Sequence, residues 1–157
     1  MIRGMHHISL ATSDMDRFIA FYRDLLGMTL DRVSPLPAGV EPFEAIVGMR
    51  DVAGQVAQFN LGNMQMEVFC YTAPAPQPGM RRPACDVGIR HIAFDVKDID
   101  REYARLKAAG VDFISPPQHL ALGGVTSCYC YDPDGNIVEL QEIHAGSPVR
   151  PAFGLGA

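Results

Sequence analysis

Two histidines and two glutamates, His7, Glu67, His91 and Glu139, are the residues whose types and placement point most directly to chemistry. Imidazole nitrogen and carboxylate oxygen together suit a hard or borderline divalent ion. Two carboxylates neutralise such an ion while leaving positions free for water or for neighbouring oxygens of a substrate. An ion held in this way acts as a Lewis acid on negative charge that develops during a reaction. Taken singly, the four residues say little. A strand histidine is ordinarily a structural hydrogen-bonder, and a glutamate on a half-exposed strand is ordinarily solvated. Their pattern along the chain says more.

The chain repeats itself. Residues 6–27, HHISLATSDMDRFIAFYRDLLG, superimpose on residues 90–110, RHIAFDVKDIDREYARLKAAG. His7 falls on His91, Ile8 on Ile92, Asp14 on Asp98, Asp16 on Asp100 and Arg17 on Arg101, all at one constant offset. Each copy opens as an alternating strand and turns through Asp-x-Asp. In the first, Ser13 or Asp14 is placed to cap the following helix; in the second, Asp98 is. Phe18, Phe21, Tyr22 and Leu25 form an amphipathic stripe, echoed by Ile99, Tyr103 and Leu106, and Gly27 and Gly110 stand where a helix C-terminal glycine belongs.

Strand patterns follow each helix. The first half offers Thr29–Val33, Val56–Leu61 and Met64–Tyr71, the last two joined at Gly62-Asn63; Ser34–Gln55 reads as irregular. The second half offers Val111–Ile114, Thr126–Tyr131 and Ile137–Glu142, the last two joined by Asp132-Pro133-Asp134-Gly135-Asn136, a strong turn sequence. The expectation is an α+β protein of two β-α-β-β-β modules, residues 1–71 and 89–144. A Pro-rich linker spans 72–88, and residues 145–157 form a tail or an arm against a partner subunit. Curved mixed sheets would enclose a metal-binding cleft, with the helices outside.

Strand parity then sorts the four residues. His7, Glu67, His91 and Glu139 all alternate with large aliphatic neighbours, so each takes the face opposite the groups that pack beneath a helix. Under a pseudo-twofold arrangement the four would meet on one divalent ion. His6, one residue out of phase, reads as structural.

Composition bounds the rest. The 157 residues are 48% hydrophobic and 20% charged, enough for a compact core. A net charge of −5 argues against nucleic-acid binding. No apolar run reaches a membrane-spanning length, and the N-terminus has no signal-peptide pattern. The cysteines Cys70, Cys85, Cys128 and Cys130 lack CxxC spacing and read as reduced core thiols of a cytoplasmic protein.

At these residues the chain resembles the vicinal oxygen chelate (glyoxalase/bleomycin-resistance/dioxygenase) superfamily. The resemblance rests on His6-His7-Ile8-Ser9-Leu10 with Phe21-Tyr22-Arg23-Asp24-Leu25-Leu26-Gly27, on Arg90-His91-Ile92-Ala93-Phe94, and on Asp132-Pro133-Asp134-Gly135-Asn136-Ile137-Val138-Glu139-Leu140. It implies a metal (Ni, Co, Mn, Zn or Fe) held by His7, Glu67, His91 and Glu139, a small-molecule substrate and a homodimer. The ligand set, and Gly123-Gly124-Val125-Thr126, are most similar to bacterial-type glyoxalase I (lactoylglutathione lyase). There an enediolate or enolate is stabilised on the ion, and a carboxylate such as Glu139 leaves the ion to move the proton, so the resemblance implies Glu67 and Glu139 as the candidate bases. A methylmalonyl-CoA epimerase-like isomerase is the nearest alternative, but it usually has Gln where Glu67 stands and needs a further base, for which Glu41 and Glu44 are weak candidates. An extradiol-type Fe(II) dioxygenase needs only His7, His91 and Glu139. A non-catalytic ligand-binding module is the third alternative. Arg3, Arg50, Arg81 and Arg82 are the cations available for a substrate carboxylate, although surface arginines are the default reading.

Overall fold

The computed structural model describes residues 1–149, and the expected tail from residue 150 onward lies outside the described residues. Two compact units divide the chain, one of Met1–Gly79 and one beginning at Met80. Each holds one four-stranded mixed sheet and few helices, an α+β organisation.

In the first unit, β1 (Ile8–Ala11) leads to α1 (Met15–Ile19), which runs on as a π-helical segment over Ala20–Leu25. β2 (Thr29–Leu36), α2 (Glu41–Val47), β3 (Ala53–Leu61) and β4 (Met64–Ala73) follow. The sheet order is β1-β4-β3-β2, with β1 parallel to β4 and the other pairs antiparallel. The second unit runs β5 (His91–Asp95), α3 (Ile99–Ala108), β6 (Gln118–Leu120), β7 (Val125–Tyr131) and β8 (Ile137–Ile143). Its order, β5-β8-β7-β6, with β5 parallel to β8, reproduces the first.

The cores sit between helix and sheet. Phe18 and Tyr22 stack with centroids 4.3 Å apart, and Phe18 also lies against Phe59 of β3. Phe59, Met66 and Val68 are buried on the same sheet face. Burying each such side chain stabilises the fold by about 1.5–3 kcal/mol. In the second unit Val138, Leu140, Cys128 and Cys130 are buried together with Ile99 and Leu106 of α3.

Three expectations need correction. Val111–Ile114 is not a strand: Phe113 forms an isolated bridge to Cys130, and the edge strand proper is Gln118–Leu120. Pro116 and Pro117 intervene, and proline has no N–H to offer a ladder. Ser34–Gln55 is only partly irregular, because β2 reaches Leu36 and α2 fills the middle, ending at Gly48 with left-handed φ of 69°. Asp98 does not cap α3 with its side chain; it sits at φ 59°. Glu142 of β8 does the capping instead, its carboxylate accepting from Asp98 N at 2.9 Å and Ile99 N at 3.2 Å. Asp14, by contrast, does cap α1, accepting from Arg17 N at 3.0 Å. The first tail residues fold back rather than trailing away, with Ser147 Oγ donating to Gly123 O at 2.7 Å.

The two backbone N–H groups, from Asp98 first and Ile99 second, hold the Glu142 carboxyl below its ordinary value. The folded-state pKa is therefore lower than the unfolded one. The stabilisation is full above the ordinary carboxylate value and is lost as pH falls through the folded value. Glu142→Ala is expected to destabilise the chain by about 1 kcal/mol at neutral pH, and the difference from wild type should shrink in the acid range. Urea unfolding at pH 7 and at pH 4 measures both.

Candidate functional site

Each unit places one histidine against one glutamate in the same strand register. In the first, Ser9 of β1 pairs with Glu67 of β4, and His7 stands two residues upstream of Ser9. In the second, Ala93 of β5 pairs with Glu139 of β8, and His91 stands two residues upstream of Ala93. Because side chains alternate, the His and the Glu share the sheet face opposite the helix-covered core. His7 Nε2 lies 3.7 Å from Glu67 Oε2, and His91 Nε2 lies 3.2 Å from Glu139 Oε2. His7 itself precedes β1 rather than lying in it.

The surroundings differ between the two pairs. Glu67 faces Gln58 of β3, whose Nε2 is 3.5 Å from Glu67 Oε1. A cavity of about 110 Å³ opens here, lined by His6, His7, Asp31, Gln58, Asn60, Gln65 and Glu67 among others. His6, set aside on parity, touches His7: their Nδ1 atoms are 2.9 Å apart. Parity sorts side chains by face and says nothing of a bond between two adjacent rings, which is why the sequence pattern missed this contact. With His7 Nδ1–H as the donor in that bond, His7 Nε2 keeps the lone pair that an ion needs.

Glu139 is held more firmly. Ser127 Oγ donates to its Oε1 at 2.5 Å, and its side chain is 13% exposed against 27% for Glu67. Tyr129 stands directly opposite Glu139 across the β7–β8 ladder, and its ring lies 5.4 Å from that of His91, fixing one side of the imidazole. Ser127 and Tyr129 share the Glu139 parity, the one sequence signal that could have found them. Burial, then the neighbouring glutamate, raises the hydroxyl pKa of Tyr129 beside Glu139 and of Tyr71 beside Glu67. Both tyrosines therefore stay protonated at neutral pH.

Other sequence candidates are engaged elsewhere. Glu44 accepts from Val52 N at 3.1 Å. Arg81 pairs with Asp112 at 2.6 Å and lies 4.0 Å over the Tyr131 ring, so it braces the second unit. Arg3, Arg50 and Arg82 are exposed. Among the described residues, no group of three or more His, Cys, Asp or Glu gathers in a metal-holding arrangement; each unit supplies a pair.

Residues 4–140 match the Glyoxalase/Bleomycin resistance protein/Dioxygenase superfamily. The chain belongs to this family. The mitochondrial methylmalonyl-CoA epimerase of Mus musculus is 26% identical over 142 residues, covering 88% of this chain and 72% of that protein. A glyoxalase family protein from Bacillus cereus superimposes with a TM-score of 0.80 at 20% identity, covering 92% of this chain and 96% of the other. The fosfomycin resistance protein FosX of Listeria monocytogenes, solved with Mn(II) and sulfate, superimposes at 0.64 and 20% identity over 96% of this chain and all of its own. These structural likenesses show the fold. Among the described residues, no helix is long and apolar enough to cross a membrane.

The cysteines belong to neither pair. Cys128 and Cys130 are buried, Cys70 is half-buried and Cys85 is exposed, so Cys85 is not the core thiol expected. Burial, then the charge of Glu139, pushes the Cys128 thiol up to about 11. Burial, then Cys128, pushes Cys130 up to about 12. Since the thiolate is the nucleophile, iodoacetamide at pH 8 should label Cys85 and leave Cys128 and Cys130 unmodified until denaturant is added. Peptide mass spectrometry reads the sites.

Proposed function

We propose that this chain is a metal-dependent lyase or isomerase of the glyoxalase type. In this reading His7, Glu67, His91 and Glu139 hold one divalent ion, and Glu139 or Glu67 moves a proton on a carbon next to a carbonyl. The observation that carries the reading is the matched pair: in each unit a His Nε2 and a Glu Oε2 lie close, at 3.7 Å in the first and 3.2 Å in the second, in one register, on the face opposite the buried core. Ligand bonds of about 2.1 Å put neighbouring donors roughly 3.0 Å apart in an octahedron and about 3.4 Å apart in a tetrahedron. Both pairs suit such an edge with little movement, and the donor set of two imidazoles and two carboxylates fits Ni, Co, Mn, Zn or Fe(II). The Mn(II) in FosX supports a divalent ion on this scaffold.

When bound, the ion supplies a Lewis acid that stabilises negative charge on adjacent substrate oxygens. The remaining work falls to side chains. Ser127 holds one oxygen of Glu139 while the other faces His91, so the carboxylate has a resting partner from which it can swing to take a proton. Glu67, tethered only at 3.5 Å by Gln58, has more freedom and is the second candidate. Tyr129 and Tyr71 stand by as protonated hydroxyl donors. The presence of Glu67 favours this reading over a three-ligand Fe(II) oxygenase. A homodimer in the cytoplasm completes the proposal, the latter supported by four free thiols.

Metal analysis of the purified chain, followed by hemithioacetal turnover with added nickel, cobalt, manganese or zinc, tests it. Glu139→Gln is expected to lower kcat by about 100- to 10,000-fold, the usual range for loss of a general base. No bound metal together with no metal stimulation would overturn the proposal. Oxygen uptake on catechols after anaerobic iron loading would favour ring cleavage. Unchanged ligand affinity in Glu139→Gln, with no turnover in any protein, would favour a binding module.

A further inference from the structure

A second histidine cluster lies on the other face of the second sheet. His119 of β6 pairs with Thr126 of β7, and Thr126 pairs with Glu142 of β8, so the three form one row across three strands. His144 follows two residues after Glu142 and keeps the same side, its N–H bonded to Gly124 O at 2.9 Å. Glu139, Ser127 and Tyr129 have the opposite parity, so this row has its back to the pair described above.

Both imidazoles aim at one atom. Thr126 Oγ1 lies 3.3 Å from His119 Nδ1 and 2.7 Å from His144 Nε2, and the ring centroids are 5.3 Å apart at 62°. A hydroxyl has one proton to donate and two lone pairs to accept with, so at least one of the two nitrogens must be the donor in its bond. An ion between the rings takes a lone pair from each nitrogen instead, with the threonine oxygen beside it. His119 is exposed, so an ion can reach the pair from solvent. The carboxylate of Glu142, held by the N-terminus of α3, places negative charge near His144. The segment that carries His144 is itself braced, because Ser147 donates to Gly123 O at 2.7 Å and its N–H bonds His144 O at 3.0 Å.

We propose that His119 and His144, with Thr126 between them, form a second metal site for a borderline divalent ion, zinc, nickel or copper(II), separate from the His7/Glu67/His91/Glu139 set. Imidazole-rich, carboxylate-poor donors favour these ions over magnesium, calcium or manganese, with copper(II) the tightest. Bound there, the ion would clip the three-residue edge strand β6 to the end of β8.

Zinc binding measured by equilibrium dialysis on the full chain tests this in two backgrounds, wild type and His91→Ala/Glu139→Gln. In each, adding His119→Gln and His144→Gln should remove one bound ion per chain, while hemithioacetal turnover in the otherwise wild-type background stays unchanged. Diethylpyrocarbonate footprinting of the wild-type chain gives an answer that needs no variant: zinc should protect His119 and His144. Equal stoichiometry with and without the two substitutions, or no zinc protection of either histidine, overturns the proposal. The His91→Ala/Glu139→Gln background keeps this result distinguishable from failure of the first site. Circular dichroism confirms that the variants are folded, and His119→Gln alone, at an exposed position, suffices if the double variant is not.

Discussion

The parallel pairing of the first and last strands in each unit is the constraint on which the rest depends. β1 lies beside β4 and β5 beside β8, although nearly the whole of a module separates each pair in sequence. That pairing cannot be closed by a tight turn and needs the intervening helix as its crossover. Once made, it sets Ser9 against Glu67 and Ala93 against Glu139, and the two-residue period of a strand brings His7 and His91 to the same faces. A slip of one residue would send each histidine to the helix side.

Register, in turn, rests on the buried face. Phe59, Met66 and Val68 in one unit, and Val138 and Leu140 in the other, have nowhere else to go once the helices lie down on them. The face that carries the two His/Glu pairs is what remains. Its polar part has local partners that differ between the halves: a cavity, His6 and a loose Gln58 around Glu67, and a tight Ser127 bond with Tyr129 around Glu139. The repeat thus supplies two similar pairs, and divergence gives them different stiffness. The two glutamates are therefore held unequally.

The second unit also shows how one residue can serve two layers. Glu142 ends the last strand and caps α3, so helix and sheet share a single hydrogen-bonded joint. The same row carries Thr126 between His119 and His144. Pro116 and Pro117 delay the edge strand until residue 118, which is what brings His119 opposite Thr126.

Much of this was legible before any coordinates. The His7/His91 repeat, the helix stripe ending in buried Phe18, Phe21 and Tyr22, the Asp132–Asn136 turn and the parity of Glu67 and Glu139 follow from local rules: turn chemistry and periodicities of two and 3.6 residues. Those rules act within a few residues and need no knowledge of what lies opposite. Tertiary structure alone decided the contacts between segments distant in sequence. Glu142 rather than Asp98 caps α3, Ser127 rather than a nearer residue holds Glu139, Arg81 braces Asp112 instead of waiting for a substrate, and His6 turns to His7. Each is a side-chain bond whose partner is set by cross-strand register, by the packing of one element on another, or by chain that has left the strand. Sequence could name the candidate residues and their faces, but only the folded sheets could name their partners.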